Sequence, residues 1–137
     1  MAQKLTDANS YQRSIGVMLL AENVRWDQTG RMAELLPVYL EVLHDEKPIT
    51  VRQTIQALAV VGESQPALAA SIAEALMKLD ITAIRPTMQK SILTDVLNTL
   101  IIIRTHCHSE LLDAYLNDWL LKGNLDRKLI NQLKARM

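Results

Sequence analysis

His106, Cys107 and His108 stand side by side and form the densest group of metal-type and nucleophilic side chains in the chain. A structural zinc needs about four ligands, usually supplied in separated pairs. Side chains on adjacent residues diverge, so at most two of these three can reach one ion, and His44 is remote in sequence. No metal site is expected. Cys–His catalysis requires an oriented base and an oxyanion pocket, and no accompanying pattern supplies either. Gly-rich phosphate loops are absent too. The reading is therefore non-enzymatic, with no catalytic residues, no cofactor and no evident small-molecule substrate.

The remaining candidates are for binding. Trp26 sits in the connection VRWDQTG, residues 24–30. An exposed Trp is enriched at binding hot spots, whereas a Trp between two helices more often plugs the end of the core. The plug is the preferred reading here, with Asp27 capping the next helix. Arg13, Gln53 and Gln56 fall off the apolar stripes of their helices. They are expected to form a polar row that contacts a partner, with Trp26 joining it under the hot-spot reading.

The elements that must carry these residues are helices. In RMAELLPVYLEVLHDEKPITVRQTIQALAVVG, residues 31–62, six residues (Met32, Leu35, Leu36, Tyr39, Leu40 and Leu43) recur at three- and four-residue steps, one face of a helix. Pro37 opposes an interior helical position and is read as a kink or a late start. The turn HDEKPIT follows. Thr50 and Gln53 have capping-box spacing, Pro48 offers an earlier register as the first helical residue, and Val51, Ile55 and Leu58 make the next stripe. Gly62 is expected to end that helix in a left-handed conformation.

The flanking segments follow the same plan. Residues 1–8 are expected to be flexible. Asn9 or Ser10 caps a helix to Asn23, with Tyr11, Ile15, Met18 and Leu19 facing inward and Gly16 marking either a close approach or a neutral surface position. Ser64 caps a helix with Pro66 in its first turn and Leu68, Ile72, Ala75, Leu76 and Leu79 as its stripe. The segment 80–86 connects it to the most apolar helix, residues 87–104, whose hydrophobic residues wrap beyond one stripe and imply burial between neighbours. Ser109 opens a helix through Leu112, Tyr115, Leu116, Trp119 and Leu120 to Gly123. Asn124 caps the last one, where Arg127, Lys128, Lys134 and Arg136 give the single basic segment.

The chain repeats itself. A shift of 40 residues pairs Ser10 with Thr50, Tyr11 with Val51, Ser14 with Thr54, Ile15 with Ile55 and Met18 with Leu58. A weaker match at a similar distance brings in the helix around residues 91–103. This is the period of helix-pair repeats, in which one unit cannot bury its face alone. The central hairpin, with a proline in its first helix, Asp45 in the turn and Val51-Arg52 opening its second, resembles a HEAT repeat. The wider pattern SYQRSIGVMLLAENVRWD and HDEKPITVRQTIQAL resembles a family of small bacterial HEAT-like proteins, some linked by name to the SufB/SufD iron–sulfur assembly proteins. SufB and SufD are β-helical, and no strand periodicity is present here.

The resemblance implies an all-α fold, a right-handed α–α superhelix of about six to seven helices in antiparallel hairpins. The units would be a half repeat 9–23 and repeats 31–62, 64–104 and 109–137, all within one domain. Asp45 and Arg52 would tie neighbouring turns together as ladder residues. The VR dipeptide is missing from the other units (Tyr11-Gln12, Met88-Gln89), so the ladder is expected to be incomplete. The half repeat lacks its first helix, which leaves one side of residues 9–23 to be covered by the N-terminal tail or by another chain. HEAT-like DNA glycosylases use Trp and Asp on a concave basic surface, and Trp26-Asp27 is the only echo of that arrangement.

Composition narrows the partners. Apolar residues make up 49% of the chain, with no Phe, so aliphatic and Met side chains must fill the core. Lys plus Arg and Asp plus Glu number 15 each, for zero net charge. A nucleic-acid binder shows a basic excess or block, so nucleic acid is disfavoured and remains the alternative reading. The apolar run 100–103 is far too short to span a bilayer, the start MAQKLTDANS does not look like a secretory signal, and one cysteine forbids an internal disulfide. A cytoplasmic protein that binds a protein partner or a second copy of itself is the expectation.

Overall fold

The computed structural model describes residues 2–26, 30–122 and 125–137. The described residues are almost entirely helical and contain no strand. Seven α-helices follow in order: α1 (Ser10–Asn23), α2 (Arg31–Glu41), α3 (Pro48–Ser64), α4 (Ala69–Met77), α5 (Pro86–Cys107), α6 (Glu110–Lys122) and α7 (Arg127–Arg136). Short 3-10 turns join several of them. The first residues, expected to be flexible, form one such turn (Ala2–Thr6) that packs on α1, because Leu5 is buried against the core.

Local chemistry explains most of the boundaries. The Asn9 side chain accepts the Tyr11 N–H and starts α1. Gly30, at φ 74°, supplies the left-handed residue just ahead of α2. Pro37 lies inside α2 on its exposed side; α2 begins at Arg31, not late, and ends one turn after the proline in a 3-10 turn, Val42–His44. At α3 the proline register holds. Pro48 is the first helical residue, and Thr50 is a buried residue of the first turn with no capping role. Ser109 Oγ accepts the Leu112 N–H and opens α6. The expected caps Asp27 and Asn124 and the stop Gly123 lie outside the described residues.

Two sequence signals mean something different in three dimensions. Ser64 closes α3 and does not cap the next helix, which starts at Ala69 after a 3-10 turn over Pro66–Leu68. Gly62 lies within α3 with ordinary helical geometry. Its role is contact: a Cβ placed there would sit 2.6 Å from Ile103 Cγ2. Removing the side chain lets α3 and α5 approach closely.

Packing sets the layout. α1, α3, α5 and α7 form a row in which each neighbours the next, and α4 packs against α3, α5 and α6. The core is one continuous cluster. Tyr39, Ile55, Leu58, Ile72, Leu76, Leu97, Leu100 and Ile103 are fully buried in it. α5 matches the expectation of a helix enclosed by neighbours, with buried residues from Ile92 to Ile103 and only Ile102 of its aliphatic run exposed. No helix among the described residues is long and apolar enough to cross a membrane.

Candidate partner-binding face

Polar rungs join the helices of the row. Arg13 on α1 reaches the α2–α3 turn, where its Nε and Nη2 donate to the two Asp45 carboxylate oxygens, the latter at 3.0 Å. Its Nη1 also donates to the Asp7 and Ala8 carbonyls. Arg52 on α3 donates to Asp95 of α5 at 2.7 Å, and Gln56 adds a bond to the same carboxylate at 3.3 Å. Between these ion pairs, Ser14 and Thr50 share a hydrogen bond at 3.2 Å, and Thr99 donates to the Ile55 carbonyl at 3.0 Å. The buried Tyr39 hydroxyl donates to the Val17 carbonyl. Burial of that phenol pushes its pKa well up.

Asp45 and Arg52, the two expected ladder residues, therefore both make ion pairs, Asp45 from its turn to Arg13 on α1 and Arg52 to Asp95 on α5, but not with each other or with a second turn. Arg13 supplies the missing partner. It aligns with Arg52 at a shift of 39, one residue away from the shift that best pairs the apolar stripes, and that slip hid it.

The expected polar contact row does not form as a free surface. Arg13 was placed on it, yet its side chain is only 13% exposed and is committed to Asp45. Gln53 is half-buried, and its Oε1 is enclosed with no hydrogen-bond partner among the described residues. Gln56 is at the surface but is turned toward Asp95. Trp26 is the reverse case. Expected to plug the core, it is 75% exposed.

Trp26 does not stand alone. Tyr11 is 69% exposed, Met18 52% and Leu19 38%, and Ile15 is half-exposed. At about 100° per residue, Met18, Tyr11, Glu22, Ile15 and Leu19 occupy one continuous arc of roughly 100° on α1, and Trp26 follows in the 3-10 turn Val24–Trp26. An apolar arc of that width is what a helix ordinarily turns to the core. Here the helix is rolled the other way: its buried residues are Ser14, Gly16, Val17 and Ala21. The inward orientation expected for Tyr11, Ile15, Met18 and Leu19 is thus overturned. Small side chains on the other side let α1 pack tightly on α3. At Gly16 they also admit the N-terminal turn, where an added Cβ would lie 2.8 Å from Lys4 Cβ. That turn covers the Gly16 side and leaves the apolar arc open.

The residues singled out for chemistry do not converge. His106 is exposed, Cys107 is half-buried with its thiol directed to the Ile103 carbonyl, and His108 pairs with Asp113 at 2.7 Å. Asp113 also accepts from Arg104, and that bond holds its carboxyl below the usual range despite partial burial. Burial pushes the Cys107 thiol up, away from the thiolate a nucleophile needs. No group of three or more His, Cys, Asp or Glu among the described residues could hold a metal ion. A cleft of about 450 Å³ separates the α2–α3 and α4–α5 turns, lined in part by Leu43, Asp45, Lys78, Asp80, Arg85 and Ile92. Of its charged groups, Asp45 and Lys78 are already ion-paired, with Arg13 and Glu74.

Comparison with protein-family models, with curated proteins and with solved structures finds no match.

Proposed function

We propose that this chain is a HEAT-like helical-repeat scaffold that binds protein, without catalysis of its own, through the free side of α1. The observation that carries the reading is the outward apolar arc of Tyr11, Ile15, Met18 and Leu19 continued by Trp26. Leaving two aromatics and a Met in water on one side of one helix costs solvation that a partner surface would recover. Tyr and Trp are also the residue types that dominate protein hot spots. The row of odd-numbered helices with polar rungs, repeating at close to 40 residues, supports the HEAT-like description.

The nucleic-acid alternative needs a basic surface around Trp26. The apolar arc instead carries Glu22 as its one formal charge. The basic segment lies on α7, at the other end of the row, and there Arg136 is bonded to Asn98. The test is a photo-crosslinking amino acid placed at Trp26, or at Lys134 as control, followed by irradiation in cell extract. Protein adducts at position 26 and not at 134 are expected. Nucleic-acid adducts, or none at 26, would overturn the reading.

A further inference from the structure

We infer that the occupant of this surface is α1 of a second copy of the chain, lying antiparallel across a two-fold axis between Met18 and Leu19. The inference rests on the protein-binding reading above and names its partner.

The spacing of the arc is self-complementary. An antiparallel pairing about that axis sets Met18 against Leu19 of the second copy at the centre. Ile15 then meets Glu22 of the second copy, and Tyr11 meets its Trp26. Each aromatic lies about 11 Å from the axis along the helix, at 1.5 Å per residue. A two-fold interface must use one patch twice, so that residue i meets j and j meets i. The arc satisfies this with an aromatic at both ends and a flexible apolar centre, and its one charge, about 5 Å from the axis along the helix, faces Ile15 and not an identical charge.

Area and charge point the same way. At the exposures above, Tyr11 and Trp26 leave roughly 300 Å² in water. With Ile15, Met18 and Leu19, the surface offers roughly 500 Å² per copy, so a pair buries about 1,000 Å², the lower limit for a specific interface. That predicts a weak dimer, with a dissociation constant on the order of 10 to 100 µM. The chain has zero net charge, so two copies meet without global repulsion. A lipid surface is disfavoured: interfacial helices carry Lys and Arg beside the apolar face, whereas this arc carries Glu22. The other strongly exposed leucines, Leu111 and Leu121 of α6, are two isolated side chains and lack comparable area.

The test is sedimentation velocity from about 5 to about 500 µM on the wild-type chain and on Met18→Glu. Position 18 is exposed, so the variant should melt like the wild type. The wild-type mass should rise toward twofold with concentration, and Met18→Glu should weaken association at least about tenfold by placing two buried carboxylates near the axis. As a positional check, Met18→Cys in a Cys107→Ser background should form an intermolecular disulfide on oxidation. Leu121→Cys in the same background should not. A strict monomer, a dimer that survives Met18→Glu, or crosslinking confined to position 121 would each overturn the inference. A monomer whose Trp26 probe captures a different protein would overturn self-pairing alone. A monomer that captures nothing would overturn the protein-binding reading as well.

Discussion

Asp45 shows how much tertiary structure one carboxylate can hold. It accepts from Arg13, and its Oδ1 also accepts the Lys47 N–H at 2.8 Å, which shapes the turn into α3. Burial alone would push its pKa up. The Arg13 hydrogen bonds, the Lys47 N–H and the neighbouring positive charges outweigh that, so its pKa falls below the ordinary 3.8. A group depressed on folding stabilises the fold fully above its unfolded pKa, and that contribution is lost as pH falls through the folded value. Asp113 is shifted in the same direction. Chemical-denaturation midpoints should therefore be flat from about pH 7 to about pH 5 and fall below about pH 4. Asp45→Asn should be less stable at neutral pH and lose less on acidification. A variant with the wild-type acid slope would show that Asp45 is not a principal acid-sensitive group. At this scale the sequence was half legible. Asp45 was visible from its place in the turn, but Arg13 was read as a surface contact, because nothing local distinguishes a free arginine from one that reaches across to another unit.

Between elements, α3 and α5 pack against each other most extensively, and Gly62 lies at a point of close contact between them. Replacing Gly by Ala inside a helix is favourable by up to about 1 kcal/mol. Here the added methyl would meet Ile103, a fully buried residue with no room to withdraw. Overpacking of this kind costs about 1–3 kcal/mol. Gly62→Ala should therefore destabilise by about 1 kcal/mol net in urea titrations. Combined with Ile103→Ala, it should show a favourable coupling of about 1 kcal/mol, since the second change removes the clash. An additive double mutant would mean that the helices can separate freely. Gly16→Ala should cost less, because the atom it meets belongs to a short terminal turn. Periodicity identified these helices and their apolar stripes correctly in α2, α3 and α5. It also found the stripe of α1, but not its direction. A pattern records that a face is apolar, while only the neighbours decide whether that face is covered. Gly62 was misread for a similar reason, since a glycine near the end of an apolar run looks the same as a stop and as a point of close contact.

For the whole molecule, a row of helices in which contacts run mainly between neighbours is not equally stable throughout. α3 and α5 sit inside the row and contribute more buried residues than any other helices, from Thr50 to Gly62 and from Ile92 to Ile103. α7 closes the far end with Leu133 as its one buried residue. Its polar tethers to α5, Lys90–Asp126, Arg136–Asn98 and Arg104–Met137, are all exposed. Hydrogen exchange should be slowest in the second half of α3 and the middle of α5, and fastest in α7. α1 should fall between, since it packs on α3 and the N-terminal turn but presents its widest apolar arc to water. Concentration then separates two sources of protection. If α1 pairs with a second copy, its amides alone should slow as the protein is concentrated past the dimer midpoint, while α7 stays unchanged. Equal slowing of every helix would instead mean that association stabilises the fold globally, and no slowing would leave the apolar arc unoccupied in the isolated protein. The measurement reads both the local stability of the row and the site of contact, because only α1 combines an intermediate place in the stability order with a surface left to bury.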